Sequence, residues 1–162
     1  MHIYLVMDYQ YPIGYMMVCR RHAVSTVDEE IEMKIKLTGV YVDDQEKALR
    51  FYTEVLGLQI KSDFTNGSFR WLTVVSSDER DGTELQLALN DNSAVKAYQQ
   101  FLFSANQPAV NFFTDDVRAD YERIKARGAK FTMAPMEVTG STIAQLSDTC
   151  GNLVQITQLA RW

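Results

Sequence analysis

A chain of 162 residues, 46% hydrophobic and 23% charged, has the make-up of one ordinary globular domain with room for a substantial core. Its net charge of −5 argues against a nucleic-acid partner, which calls for clustered Lys and Arg, and no apolar run approaches the ~20 residues that span a bilayer. Cys19 and Cys150 stand far apart in no ligand-like spacing, so neither a disulfide framework nor a zinc site is expected, and a reducing, cytoplasmic setting is.

Residues 1–32 differ in character from the remainder of the chain. Met, Tyr and Val crowd Met1 to Val18, then come Arg20-Arg21-His22 and the acids Asp28, Glu29, Glu30 and Glu32. A secretory signal would put its basic residues before the apolar stretch, and Pro12 with Gly14 breaks the periodicity of a membrane-surface helix. The segment reads as an N-terminal extension outside the fold, with Met33 opening a single domain over 33–160. It takes 2 basic and 5 acidic residues, leaving 14 and 16 in the remainder, so −3 of the net charge of −5 lies outside the expected fold.

From Met33 the elements come in order. Ile35 to Val42 alternates as a strand, with Val40 and Val42 on one face and Leu37, Gly39 and Tyr41 on the other. Asp43-Asp44 then marks a helix start, Ala48, Leu49, Tyr52 and Leu56 fall on one helical face, and Gly57 suits a left-handed stop. Leu58 to Phe64 and Ser68 to Val75 are strands about an Asn66-Gly67 turn, and Thr83 to Leu89 is a fourth strand. Asn90 to Asn106 is a linker with a helix built on Val95, Tyr98, Phe101 and Leu102. The design then repeats: strand Ala109 to Thr114, Asp115-Asp116, helix Val117 to Arg127, Gly128, strand Ala129 to Met133, loop Pro135 to Gly140, and strands Ser141 to Asp148 and Asn152 to Gln158. Asp44 to Asp116 is 72 residues and Gly57 to Gly128 is 71. The chain is two copies of one unit: module one at 33–90, a linker helix at 91–107 and module two at 108–160.

The expected class is α+β, two βαβββ modules forming a cupped eight-stranded mixed sheet with helices on the outer face. Leu85, Leu87, Val110, Phe112, Val154 and Ile156 pack under the helices. The opposite faces carry Tyr41, Glu84, Gln86, Asn111, Phe113, Gln155 and Thr157, an aromatic and amide surface suited to a small molecule.

Val40-Tyr41-Val42-Asp43-Asp44, Ala48 to Tyr52 and Val55-Leu56-Gly57 resemble the opening module of the vicinal oxygen chelate superfamily, the glyoxalase, bleomycin-resistance and extradiol dioxygenase group. Phe112 to Val117 and Asp148 to Gln155 resemble its second half. The resemblance implies paired modules, often a homodimer, and in metal-dependent members four ligand positions, usually His or Glu, on the first and fourth strands. Those positions fall here on Leu37, Gln86, Ala109 and Gln155. Two cannot ligate and two offer only neutral amides, and 33–162 contains no histidine. No metal and no cofactor are expected.

Glu84 is then the one carboxylate on the cupped face, a candidate general base if burial raises its pKa, against the plainer reading of a solvated glutamate. Gln86 and Gln155, on neighbouring strands, need partners and can bond each other or a ligand. Tyr41, Phe113, Trp71 and Asn111 complete the candidate binding set. Cys150, placed in an exposed-looking turn with no histidine to activate it, reads as an inert thiol. The leading expectation is a metal-independent binder of a small organic ligand, of the bleomycin-resistance type. The alternative is a lyase, isomerase or dioxygenase-like enzyme with Glu84 as base.

Overall fold

Alternation and acidic caps carry the architecture. The computed structural model describes residues 33–160; the leading segment, with Cys19 and both histidines, lies outside them. Strand β1 (Leu37–Val42) runs into helix α1 (Gln45–Arg50), where the Asp44 carboxylate accepts from the backbone N–H of Glu46 at 2.8 Å and of Lys47 at 3.0 Å. The Lys47 bond above all holds that carboxyl below its usual range. Helix α3 (Val117–Ala126) opens the same way, Asp116 accepting from Arg118 at 3.1 Å and Ala119 at 3.0 Å. Gly57 and Gly128 follow the two helical segments at φ of +90° and +91°, the left-handed region that a side chain penalises.

One local feature escapes the periodicity. Helix α1 passes into a π-helical turn, Phe51–Val55, closed by the Leu56 N–H on the Phe51 carbonyl at 3.1 Å. The wider turn keeps the consecutive residues Phe51 and Tyr52 both buried, their rings edge to face at 5.3 Å.

Strands β2 (Gln59–Asn66), β3 (Phe69–Val75) and β4 (Glu84–Leu89) join β1 in the order β1-β4-β3-β2. Strands β5 (Val110–Phe113), β6 (Lys130–Val138), β7 (Ser141–Ser147) and β8 (Leu153–Leu159) repeat it as β5-β8-β7-β6. In each module the first strand runs parallel to the fourth and the other pairs are antiparallel. The architecture is therefore α+β, two βαβββ modules. Its eight strands divide into two four-stranded mixed sheets, because β1 and β5 each pair with the fourth strand of their own module. Strand β6 runs through the expected loop at Pro135: register shifts on either side of Met133 take up a proline that cannot donate to the ladder.

Val40, Val42, Leu85 and Leu87 from the first sheet and Ala144, Leu146, Val154 and Ile156 from the second enter one continuous core with Ala48, Tyr52, Val117 and Ile124 of the helical segments. The modules thus meet on their helix-bearing sides. The turn between β7 and β8 clamps the junction. Its buried Asp148 accepts from the backbone N–H of Cys150 at 2.8 Å and Asn152 at 2.9 Å, from Asn152 Nδ2 at 2.6 Å and from the Tyr52 hydroxyl at 3.3 Å. From the other end, Arg127 donates to the carbonyls of Glu54 at 3.3 Å and Val55 at 3.2 Å, closing the first module's helix with a cation.

Helix α2 (Ser93–Ser104) lies where the linker helix is expected but turned. Tyr98 and Phe101 are exposed and Gln99 is buried. Gln99 Nε2 sits 2.8 Å from the carbonyl oxygens of both Tyr41 and Cys150, and its Oε1 accepts from Asn90 Nδ2 at 2.6 Å. The hydrogen bonds of one amide outweigh the apolar stripe.

Candidate functional site

Opposite the core, each sheet turns a second face outward. On the first, Gln86 in β4 stands between Gly39 of β1 and Thr73 of β3. On the second, Gln155 in β8 stands between Asn111 of β5 and Gln145 of β7. The duplication thus puts a glutamine at the centre of both faces and changes what flanks it.

The first face pairs an aromatic shelf with a carboxylate. Counting outward from the Asn66-Gly67 turn, Phe64 lies opposite Trp71, and their rings stack with centroids 6.4 Å apart. Phe69, two residues before Trp71, adds a tilted ring, also at 6.4 Å. Further along β3, the Thr73 hydroxyl donates to Glu84 Oε2 at 2.7 Å. Glu84 and Gln86 are half-buried, and the Gln86 amide makes no hydrogen bond to any other described residue. Tyr41 is exposed on the same side of β1.

The second face is a neutral relay. Gln145 Nε2 donates to Gln155 Oε1 at 3.2 Å, Gln155 Nε2 donates to the Thr157 hydroxyl at 3.1 Å, and Thr157 donates to Asn111 Oδ1 at 2.9 Å. With this polarity the Asn111 NH₂ group and the Gln145 carbonyl oxygen stand at the two ends. Phe113 beside them is 65% exposed and borders a hollow of about 310 Å³ with Thr114, Asp115, Gln158 and Leu159.

The structure brings Tyr41, Trp71, Glu84 and Gln86 onto one face and Asn111, Phe113 and Gln155 onto the other. Gln86 and Gln155 stand in different sheets, not on neighbouring strands, and do not bond each other. Phe64, Phe69, Thr73 and Gln145 join them without having been singled out from the sequence. Hairpin register from the Asn66-Gly67 turn points to the first two, and alternation along β7 points to Gln145. Cys150 is a correction. Its turn tucks inward, leaving the residue 1% exposed, and burial pushes its thiol up to about 12.

The positions at which metal-dependent relatives bind an ion do not suit one here. Leu37 and Ala109 have no donor atom, and both polar atoms of the Gln155 amide are already engaged within its own sheet. Among the described residues no three His, Cys, Asp or Glu side chains gather as a ligand set, and no helix is long and apolar enough to cross a membrane.

The chain is 48% identical over 126 residues to YurT of Bacillus subtilis (strain 168), an alignment covering 78% of this chain and 99% of that protein. It is 27% identical over 130 residues to the lactoylglutathione lyase of Neisseria meningitidis (serogroup B, strain MC58), covering 78% and 91% of the two. Among solved structures, TnmS3, an antibiotic binding protein from Streptomyces sp. CB03234, superposes with a TM-score of 0.63 at 28% identity, covering 80% of this chain and 98% of that one. The family model described as Glyoxalase/Bleomycin resistance protein/Dioxygenase superfamily matches residues 34–156. With the match running through both modules, the chain belongs to that superfamily.

Proposed function

We propose that this protein binds a small organic ligand by aromatic stacking and amide hydrogen bonds, with no resident metal and no bond made or broken. The observation that carries the reading is the Gln145–Gln155–Thr157–Asn111 relay, which ties up Gln155, the one polar ligand position of the second module, in neutral mutual hydrogen bonds where an ion cage would need a free anionic or imidazole donor. Phe64, Phe69 and Trp71 supply the stacking surface. Likeness to an antibiotic binding protein at 28% identity adds support.

The same reading has the protein act in the cytoplasm as a homodimer. Phe64 is 57%, Phe69 54% and Phe113 65% exposed, more apolar area than two open sheet faces ordinarily leave to solvent. A second copy laid across them encloses a ligand between an aromatic face and an amide face.

Metal analysis of protein purified without chelator tests the first claim: less than a tenth of an equivalent of zinc, nickel, iron or manganese is expected, and a full equivalent overturns it. Sedimentation tests the second, with twice the chain mass expected. Gln86→Leu and Gln155→Leu are each expected to weaken ligand-induced thermal stabilisation, and unchanged shifts remove these side chains from the site.

A further inference from the structure

The two open faces carry almost no charge. By strand alternation and register the first face presents no lysine or arginine and the second only Lys130, at its edge opposite Ser147, and Glu84 is the one carboxylate among their described side chains. Lys61, at the bulge of β2 beside the first face, is already taken up by Asp81 Oδ1 at 3.0 Å and the Arg80 carbonyl at 2.7 Å. The ion pairs of Lys47, Lys61, Arg70, Arg118 and Arg123 all go to other carboxylates, not to Glu84.

Glu84 is also held in place. The Thr73 hydroxyl, on a fully buried residue, donates to Oε2 at 2.7 Å, and no other described residue is seen to donate to Oε1. Trp71 lies two residues along β3 from Thr73, on the same face and roughly 7 Å away at the rise of an extended strand. A flat ring seated on Phe64 and Trp71 therefore has a fixed carboxylate within one short substituent's reach. The ring faces favour positive charge as the carboxylate does, whereas an anion there is repelled by both.

Building on the binding reading above, we infer that the site selects planar aromatic cations, with the protonated nitrogen of the ligand directed to Glu84 and its rings stacked on Phe64 and Trp71. Thr73 is a positioning residue that orients the carboxylate. Anionic ligands of the same shape are rejected.

The test is calorimetric titration of the full chain with 9-aminoacridine, a flat cation at neutral pH, and with acridine-9-carboxylate, its anionic counterpart. The cation is expected to bind at least tenfold more tightly, with an affinity that falls as salt rises. Glu84→Gln, which keeps an acceptor for Thr73, should weaken the cation alone and bring the two affinities together; Trp71→Leu should weaken both. Equal or tighter binding of the anion, a preference untouched by Glu84→Gln, or cation affinity independent of salt overturns the inference. In those cases sensitivity of both probes to Trp71→Leu would leave the binding reading standing. Failure of both probes to bind overturns the two together.

Discussion

The Tyr52 hydroxyl, in the helical segment of module one, donates to the carboxylate of Asp148, in the last turn of module two, at 3.3 Å, and both side chains are fully buried. Burial drives the Tyr52 phenol well above its ordinary value, so at any physiological pH it is a donor. Tyr52→Phe removes one of four donors to Asp148 and should cost about 1 kcal/mol. Asp148→Asn places an NH₂ group against the donors of Asn152 and Tyr52 and should cost about 2–3 kcal/mol. Urea unfolding monitored by fluorescence gives both, and equal small losses would mean that the turn is not a clamp.

Cys150 is expected to be unreactive in the folded protein. A thiol held near 12 has almost no thiolate at pH 8, and its burial denies a reagent access. In a Cys19→Ser background, Ellman's reagent should register no thiol until denaturant is added and one thereafter. Rapid labelling in the native state would show that the turn opens.

Thr149 sits at φ +64° in that turn, a conformation costly for a β-branched residue. Its side chain is exposed, so glycine loses no packing. Thr149→Gly should stabilise the protein by about 1 kcal/mol, read as a higher urea midpoint with unchanged slope. Gly151 makes the opposite case. At φ +96° a Cβ would lie 3.0 Å from Gln99 Nε2, so Gly151→Ala should cost about 2 kcal/mol or more.

Acid sensitivity should trace to Arg70, not to Asp148. Arg70 grips Asp63 with two bonds of 2.7 Å and reaches Glu46 at 2.6 Å, and its hydrogen bonds lower the Asp63 carboxyl. A carboxyl lowered on folding stabilises the fold above its unfolded value of about 3.9 and loses that contribution as pH falls through the folded one. Asp148 has the reverse sign. Burial, opposed by bonds from Asn152, raises it, so its contribution is complete below the unfolded value and lost as pH rises through the folded one. Asp63→Asn should therefore cost about 0.5 kcal/mol at pH 7, and the difference from the parent should close as pH falls below the unfolded value and through the lowered folded one. A gap that does not narrow at all in acid would show a role other than charge.

The duplication, the caps at Asp44 and Asp116 and the inward alternation of Val40, Val42, Leu85 and Leu87 are legible in the chain because each is a local rule with a short period. The orientation of α2 is not. Tyr98 and Phe101 have the spacing of a buried stripe, yet Gln99 turns inward to carbonyls contributed by Tyr41 and Cys150, 58 and 51 residues away in sequence. No window of the sequence contains that demand. The candidate site divides likewise. Alternation places Glu84, Gln86, Asn111, Phe113 and Gln155 correctly on outward faces, whereas the shelf of Phe64 and Phe69 depends on hairpin register. That Gln86 and Gln155 stand in separate sheets follows from how two modules join on their helix-bearing sides, a tertiary outcome that spacing does not encode.

The carbonyl of Tyr41 lies 2.8 Å from both Gln99 Nε2 and Asn152 Nδ2, while its exposed side chain lies on the face that carries Gln86. One peptide unit is therefore moored by the linker and the far module at the point where its side chain meets solvent. The angle at which that ring greets a guest is set by groups that never touch the guest, and sequence drift in the closing turn would retune recognition without altering a single residue of the surface.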